Sequence, residues 1–334
     1  MAKISVLGSG AWGIAVAMIA ESNGHNVKVW SLFSEEIDEI NKTRENSRCL
    51  KDVKIPKSIE FTTDIGIVSD ADIVIIAVPS IGVRNTAASI SGIIKKDTIV
   101  VNLAKGLEKE TLKRLSQVIE EELPDNRIVV LSGPTHAEEV ARGIPSVLVV
   151  SSRFPDSAVY VQEALMRKNF RIYKNDDIVG VELGGALKNI IAIAAGIADT
   201  MNLGDNTVAA LMTRGLTEIA RLGAAMGANK ETFAGLTGVG DLIVTCTSKH
   251  SRNRRAGTLI GKGIPIDEVI KTVGTVEGYF ATASAKKFAE THSVYMPITE
   301  QCYAIMYEGK DVNEAISKLL NGPCKDENED IWLL

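Results

Sequence analysis

The chain has little of what metal centres, nucleic-acid surfaces and disulfide frameworks require. Its four cysteines, Cys49, Cys246, Cys302 and Cys324, are scattered and show no C-x-x-C spacing. That argues against a disulfide framework or a zinc site and favours a reducing, cytoplasmic setting. The four histidines, His25, His136, His250 and His292, do not pair at i, i+4 as on a metal-binding helix. Aromatic residues make up only 5% of the chain and do not interleave with its arginines, so a platform for stacking bases is not expected. A formal net charge of -5 provides no basic field for nucleic acid or an anionic membrane surface. No apolar run is expected to reach the length of a membrane span, so stable insertion is not expected either. Any anion must therefore be held by a local cluster of residues.

At 334 residues the chain exceeds one ordinary core, and two domains are expected. The first half carries short β-branched runs at Ile4 to Leu7, Val27 to Trp30, Asp72 to Val78, Thr98 to Asn102, Arg127 to Leu131 and Ser146 to Val150. Such nearly continuous apolar runs suit parallel strands covered on both faces. Helical patterns alternate with them at Trp12 to Glu21, Thr111 to Glu122 and Pro155 to Met166. From about Gly180 the texture turns to long Ala- and Leu-rich segments, Leu183 to Met201 and Thr207 to Met226, then shorter helical patterns at Ile266 to Thr272, Glu277 to Thr291 and Thr299 to Glu308. The expected fold is α/β: a doubly wound, Rossmann-like sheet domain over residues 1–180, then an all-helical domain over 181–334 for substrate and catalysis. The charged stretch Cys324 to Asp330 reads as a loose tail.

Residues 8 to 13 read GSGAWG, between a strand and a helix. The basic start and apolar stretch around them would also suit a secretory signal peptide. Three glycines interrupt that stretch, however, and a second strand follows directly after Ser22-Asn23-Gly24-His25. In this βαβ setting Gly8 makes the tight turn, Gly10 lets backbone approach a pyrophosphate, and Gly13 lets the helix pack close to the sheet. The helix N-terminus then faces the phosphates.

Three further places combine charge with glycine in apolar surroundings. Lys105, in Asn102-Leu103-Ala104-Lys105-Gly106, follows the C-terminal end of a predicted strand, where ligands of open α/β sheets bind. On these residues alone it could equally be a solvated loop lysine. Lys188 stands among Leu, Ile, Ala and Gly over several helical turns, where desolvation lowers a lysine's pKa enough for it to accept a proton near neutrality. A snorkelling or salt-bridged lysine is the alternative. The third place is Gly235 to Cys246 followed by Ser251-Arg252-Asn253-Arg254-Arg255. Asp241 can pair there with a lysine or a hydroxyl, and Ser251 reads as an N-cap. Arginines in a first helical turn oppose the dipole and make sense around a bound phosphate.

With these motifs in view, the chain resembles the bacterial NAD(P)-dependent glycerol-3-phosphate dehydrogenases over nearly its whole length, through GSGAWG, NLAKGLE, LSGPTHAEEVARG, ELGGALKNIIAIAAGI, TGVGDLIVTC, SRNRRAG and VEG in that order. The resemblance implies reversible hydride transfer between the nicotinamide of NAD or NADP and C2 of sn-glycerol 3-phosphate, giving dihydroxyacetone phosphate. It also implies a homodimer and a supply of glycerol 3-phosphate for phospholipids. Lys188 would be the proton acceptor and donor, Lys105 would orient the substrate, and Asp241 would hold the Lys188 ammonium or a substrate hydroxyl. Asn189 and Thr245 would support them. Ser251, Arg252 and Asn253, with Gly133 and Thr135, would lie at the substrate. Beside Gly8, Gly10 and Gly13, the cofactor positions would be Ala11, Trp12, Leu32, Lys105, Ala137, Arg252 and Glu277.

The pattern departs from the family in two places. An acid at the end of the second strand would mark NAD and an arginine NADP, but this chain has Ser31-Leu32-Phe33; Glu35 and Glu36 come late, and Arg44 and Arg48 are alternatives. Cofactor preference stays open at this point. Cys49 stands where the family often has tyrosine. The rival readings are a related β-hydroxyacid-type dehydrogenase, against which the Arg252 cluster argues, and a cofactor-sensing protein without turnover, against which Lys105, Lys188 and Asp241 argue.

Overall fold

The computed structural model describes residues 1–322, and the predicted tail Cys324 to Asp330 lies outside the described residues. The chain forms two units. One comprises Met1–Ala104 and Leu115–Ile178; the other comprises Lys105–Arg114 and the chain from Val179 on.

The β-branched runs of the first unit build an eight-stranded sheet from β1 (Lys3–Leu7), β2 (Asn26–Trp30), β3 (Glu60–Thr62), β4 (Ile73–Ile76), β5 (Ile99–Asn102), β6 (Arg127–Ser132), β7 (Ser146–Ser152) and β8 (Phe170–Lys174). The order is β3-β2-β1-β4-β5-β6-β7-β8. Pairing is parallel except between β6 and β7. Strand order therefore reverses between β1 and β4, the switch point at which open α/β sheets receive ligands. Its helices are α1 (Ala11–Ser22), α2 (Ser34–Thr43), α3 (Val83–Ile90), α4 (Leu115–Glu122), α5 (Ala137–Ala141) and α6 (Pro155–Leu165). Val6, Ile75, Val101 and Val129 on one face, and Leu7, Val74, Ile76 and Val100 on the other, are buried in separate clusters. Helices thus cover both sides of the sheet, which explains why its central strands carry no polar alternation.

The helix predicted from Thr111 begins instead at Leu115. Leu112 takes a left-handed conformation, with φ 62°, so the preceding residues turn rather than wind. The edge strands β3 and β8 escaped the sequence reading. The first is three residues long, and the second alternates buried and exposed side chains over Phe170, Arg171 and Ile172.

In the second unit the helices are α7 (Ile178–Thr200), α8 (Gly204–Ala225), α9 (Asp241–Thr247), α10 (Arg252–Gly261), α11 (Ile266–Val273), α12 (Glu277–His292), α13 (Pro297–Glu308) and α14 (Val312–Leu320). One turn of π-helix, Leu236–Gly240, leads into α9. Contrary to expectation, α7 is long and apolar enough to cross a membrane, but 94% of its most apolar window is buried inside the protein. It is the central core helix of this unit, with Leu183, Leu187, Ile190, Ile191 and Ile193 buried among residues from the helices around it.

Glycine makes that packing possible. A Cβ at Gly196 would lie 2.1 Å from the carbonyl oxygen of Arg254, and one at Gly257 would lie 2.0 Å from that of Ile193. The backbones of α7 and α10 therefore touch where any side chain would force them apart. A Cβ at Gly278, near the start of α12, would likewise come within 2.6 Å of the Asn189 carbonyl oxygen.

Candidate active site

In the first unit, Gly8 leaves β1 with φ 122°, and a Cβ there would meet the Ala77 carbonyl oxygen at 2.8 Å. A Cβ on Gly13 would stand 2.1 Å from the Gly8 carbonyl oxygen, so α1 can approach its own turn only with glycine here. Gly10 is different: nothing lies within 4 Å of where its Cβ would be. Steric crowding by the protein does not explain that glycine, whereas a ligand pressed against the backbone does. Gly10 is also the N-cap of α1 and provides no side-chain cap. The first N–H groups of the helix are thus left for an anion. Trp12 Nε1 is buried without a partner in the protein. These features fit a dinucleotide pyrophosphate.

Leu32 and Phe33, just past β2, are exposed. Gly133, with φ 137°, and Thr135 follow β6, where the Thr135 hydroxyl donates to the Gly133 carbonyl at 3.1 Å. Ala137 opens α5, which packs along α1, and joins the core cluster against which Ala11 and Trp12 also pack.

The second unit gathers the ionisable residues. Lys188 on α7 is 5% exposed, and Asp241, at the start of α9, is 1% exposed. Lys188 Nζ donates to Asp241 Oδ1, and also to Thr245 Oγ1 at 2.6 Å. Lys105 Nζ donates to the other carboxylate oxygen, Oδ2, at 2.8 Å. Thr245 turns its own hydroxyl proton to the Asp241 carbonyl at 2.6 Å. Its oxygen is thus free to face the lysine. The π turn before Asp241 is tied to α7 by the Thr237 hydroxyl, which donates to the Val181 carbonyl at 2.8 Å.

Lys188 does not stand as the only charge on α7, which begins early enough to include Glu182. That carboxylate forms a buried ion pair with Arg114, which holds the Lys105–Arg114 segment against α7. Sequence reasoning missed this pair. Its only trace was an acid at the head of the lysine's apolar segment.

Burial lowers the Lys188 pKa from 10.5 to about 8; the Lys105 charge adds to the fall, while Asp241 opposes it. Burial pushes the neighbouring Cys246 thiol up to about 12, which removes it as a thiolate nucleophile near neutrality. Among the described residues no group of three or more His, Cys, Asp or Glu side chains could hold a metal ion.

Next to Lys188, Asn189 enters a second set. Its Oδ1 accepts from Asn253 Nδ2 at 2.8 Å, and Asn253 Oδ1 accepts from the Gly278 N–H at 2.9 Å. One amide side chain thereby fixes α7, α10 and α12 together beside the lysine. Ser251 caps α10, accepting from the Arg254 N–H at 3.2 Å. Arg254 pairs with Asp199 at 2.7 Å, while Arg252 is exposed. Glu277, half-buried, is the first residue of α12.

Sequence profiles of the NAD-dependent glycerol-3-phosphate dehydrogenase N-terminus and C-terminus match residues 3–158 and 177–317. The chain belongs to this family. A glycerol-3-phosphate dehydrogenase [NAD(P)+] of Thermoanaerobacter sp. is 52% identical over 97% of this chain and 98% of its own length. Its counterpart in Fusobacterium nucleatum is 49% identical over 96% and 97%. A crystal structure of glycerol-3-phosphate dehydrogenase from Coxiella burnetii superposes with a TM-score of 0.92 at 36% identity, covering 96% of this chain and 99% of that one. With the family comes the activity: NAD(P)-dependent oxidation of sn-glycerol 3-phosphate and the reverse reduction, a reaction of lipid biosynthesis.

Proposed function

We propose that Lys188 Nζ manages the proton of this reaction, and the observation that carries the reading is its buried contact with Asp241 and Thr245. When bound, the nicotinamide takes up or gives back the hydride at C2 of the substrate. In oxidation the neutral Lys188 amine accepts the C2 hydroxyl proton; in reduction the ammonium returns it to the carbonyl oxygen of dihydroxyacetone phosphate. A group whose pKa lies near working pH serves both directions. Asp241 fixes the amine in place, and Thr245, whose proton points elsewhere, accepts from it. Lys105, tied to the same carboxylate, orients the substrate and polarises its carbonyl.

At the other end of the substrate, the exposed Arg252 guanidinium and the backbone N–H groups opening α10 hold the phosphate. Ser251 and Asn253 belong to that cradle by position, but the Asn253 amide is engaged with Asn189 and Gly278 and therefore acts by positioning them. Gly133 and Thr135 complete the substrate contacts. On the cofactor side, Gly8, Gly10, Ala11, Trp12 and Gly13 hold the pyrophosphate, with Leu32, Ala137, Lys105, Arg252 and Glu277 at the remaining contacts. A cytoplasmic homodimer is the assembly and setting that accord with this role.

The test is turnover. Dihydroxyacetone phosphate should discharge reduced nicotinamide and unphosphorylated dihydroxyacetone should not, while Lys188→Ala should keep dinucleotide affinity and lose roughly a hundredfold or more in rate. An unchanged rate in that variant would remove Lys188 from the role.

A further inference from the structure

A carboxylate stands where the sequence has only serine. Ser31 follows β2 directly, at the place where dinucleotide-binding sheets put the acid that engages the adenosine ribose. In the fold, Glu36 on α2 reaches back to that place. Its Oε2 accepts from the Ser31 hydroxyl at 2.9 Å and from the Ser9 hydroxyl at 2.6 Å, and its Oε1 accepts from Asn46 Nδ2 at 2.7 Å. Asn46 also donates to the Ser9 carbonyl at 3.0 Å. Ser9, Ser31 and Asn46 are buried and Glu36 is half-buried. One carboxylate is thereby fixed at once to the Gly8-Ser9-Gly10 turn and to the tip of β2.

We infer that Glu36 is the cofactor-selecting residue of this enzyme and makes it prefer NAD(H) over NADP(H). This deepens the reading of the Gly8 to Gly13 turn as the dinucleotide site and rests on it. A held carboxylate offers an acceptor to a ribose hydroxyl and repels a ribose phosphate. With two oxygens and three donors, Glu36 keeps acceptor capacity on Oε1.

The nearby charges point the same way. Glu35 and Glu36 both occupy the first turn of α2, so the positive pole of that helix is already answered by acids. Arg44 sits at the opposite end of α2, where its guanidinium donates to the Ile59 carbonyl at 2.9 Å. Leu32 and Phe33, the exposed side chains next to Ser31, are apolar, and neither can pair with a phosphate. Arg48, exposed two residues past Asn46, is the competing cation.

Direct binding separates the cases. Titration calorimetry with NADH and with NADPH, on the full chain without substrate, should show NADH bound at least about tenfold more tightly. Glu36→Gln should shrink that ratio severalfold, chiefly by tightening NADPH. The ratio in the unaltered protein tests the proposal without any variant. Equal affinities, or a preference for NADPH, would overturn the proposal and give the position to Arg48. A preference for NADH that survives intact in Glu36→Gln would overturn it as well, since the carboxylate would not be its source. Binding of neither dinucleotide would instead strike at the underlying reading of the glycine turn.

Discussion

Lys105 and Lys188 are bound to the two different oxygens of one buried carboxylate, that of Asp241. With both amines protonated, the trio carries two positive charges against one negative, in a place where water does little screening. Giving up one proton brings the trio to neutrality. Lys188 lies deep in the core, and burial lowers its pKa to about 8.

Oxidation of glycerol 3-phosphate needs the neutral amine, so its kcat/KM should rise with pH and level off above about 8. Reduction of dihydroxyacetone phosphate needs the ammonium and should fall over the same interval. Asp241→Asn removes the anion that opposes the drop in the Lys188 pKa, so the oxidation limb should move to lower pH. Rate profiles measured in both directions will check this, and an unmoved limb in the variant would mean that Lys188 does not titrate in it.

Two glycines should fail in different ways. Gly257→Ala puts a methyl group 2.0 Å from the Ile193 carbonyl oxygen and should cost about 3 kcal/mol of stability as α7 and α10 are pushed apart. Gly10→Ala meets no protein atom within 4 Å, so its melting temperature should hold while dinucleotide affinity drops. Thermal unfolding and calorimetry on the two variants should give opposite patterns.

Arg252 is exposed, so Arg252→Ala should leave the melting temperature unchanged. Losing a charge-assisted contact to the substrate phosphate should raise the KM for dihydroxyacetone phosphate by roughly ten- to a hundredfold. If only dinucleotide binding weakened, the phosphate would be held elsewhere.

Glu218, buried on α8, accepts from the Ile298 N–H at 2.7 Å and from the Thr299 N–H at 3.1 Å at the start of α13. Burial raises its pKa from 4.5 to about 7. The folded state therefore keeps a proton that the unfolded state releases, and this contribution to stability is full below about 4.5 and lost as pH rises through about 7. The wild-type stability relative to Glu218→Gln should fall by about 3 kcal/mol across that window, as read by denaturant titration at several pH values. A flat difference would show that Glu218 does not titrate there.

Much of this was legible from local pattern. The buried strands announced themselves as β-branched runs, α7 and α8 as long apolar segments, and Lys188 as a charge among leucines and alanines. The edge strands β3 and β8 were not legible, because an edge strand is short or only half covered and loses the run. The start of α4 was misplaced because a left-handed Leu112 carries no sequence mark. Arg114 was invisible for another reason: it acts through Glu182, far along the chain, and position in sequence says nothing of where a long side chain will reach. Glu36 lies too late to be read as the acid of β2, yet the turn at Phe33 brings α2 back onto it.

The grouping of Lys105–Arg114 with the helices means that the chain enters the second unit, leaves it and enters it again. The helical half is consequently not a cassette that can be moved between proteins by joining at one point. A fragment starting at Val179 would lack Lys105 and would strand Glu182 without Arg114. During synthesis, the segment carrying the first lysine emerges well before the helix carrying the second, and has to await it. Recombination between relatives should therefore tolerate exchanges that keep residues 105–114 with their own α7 and reject those that separate them.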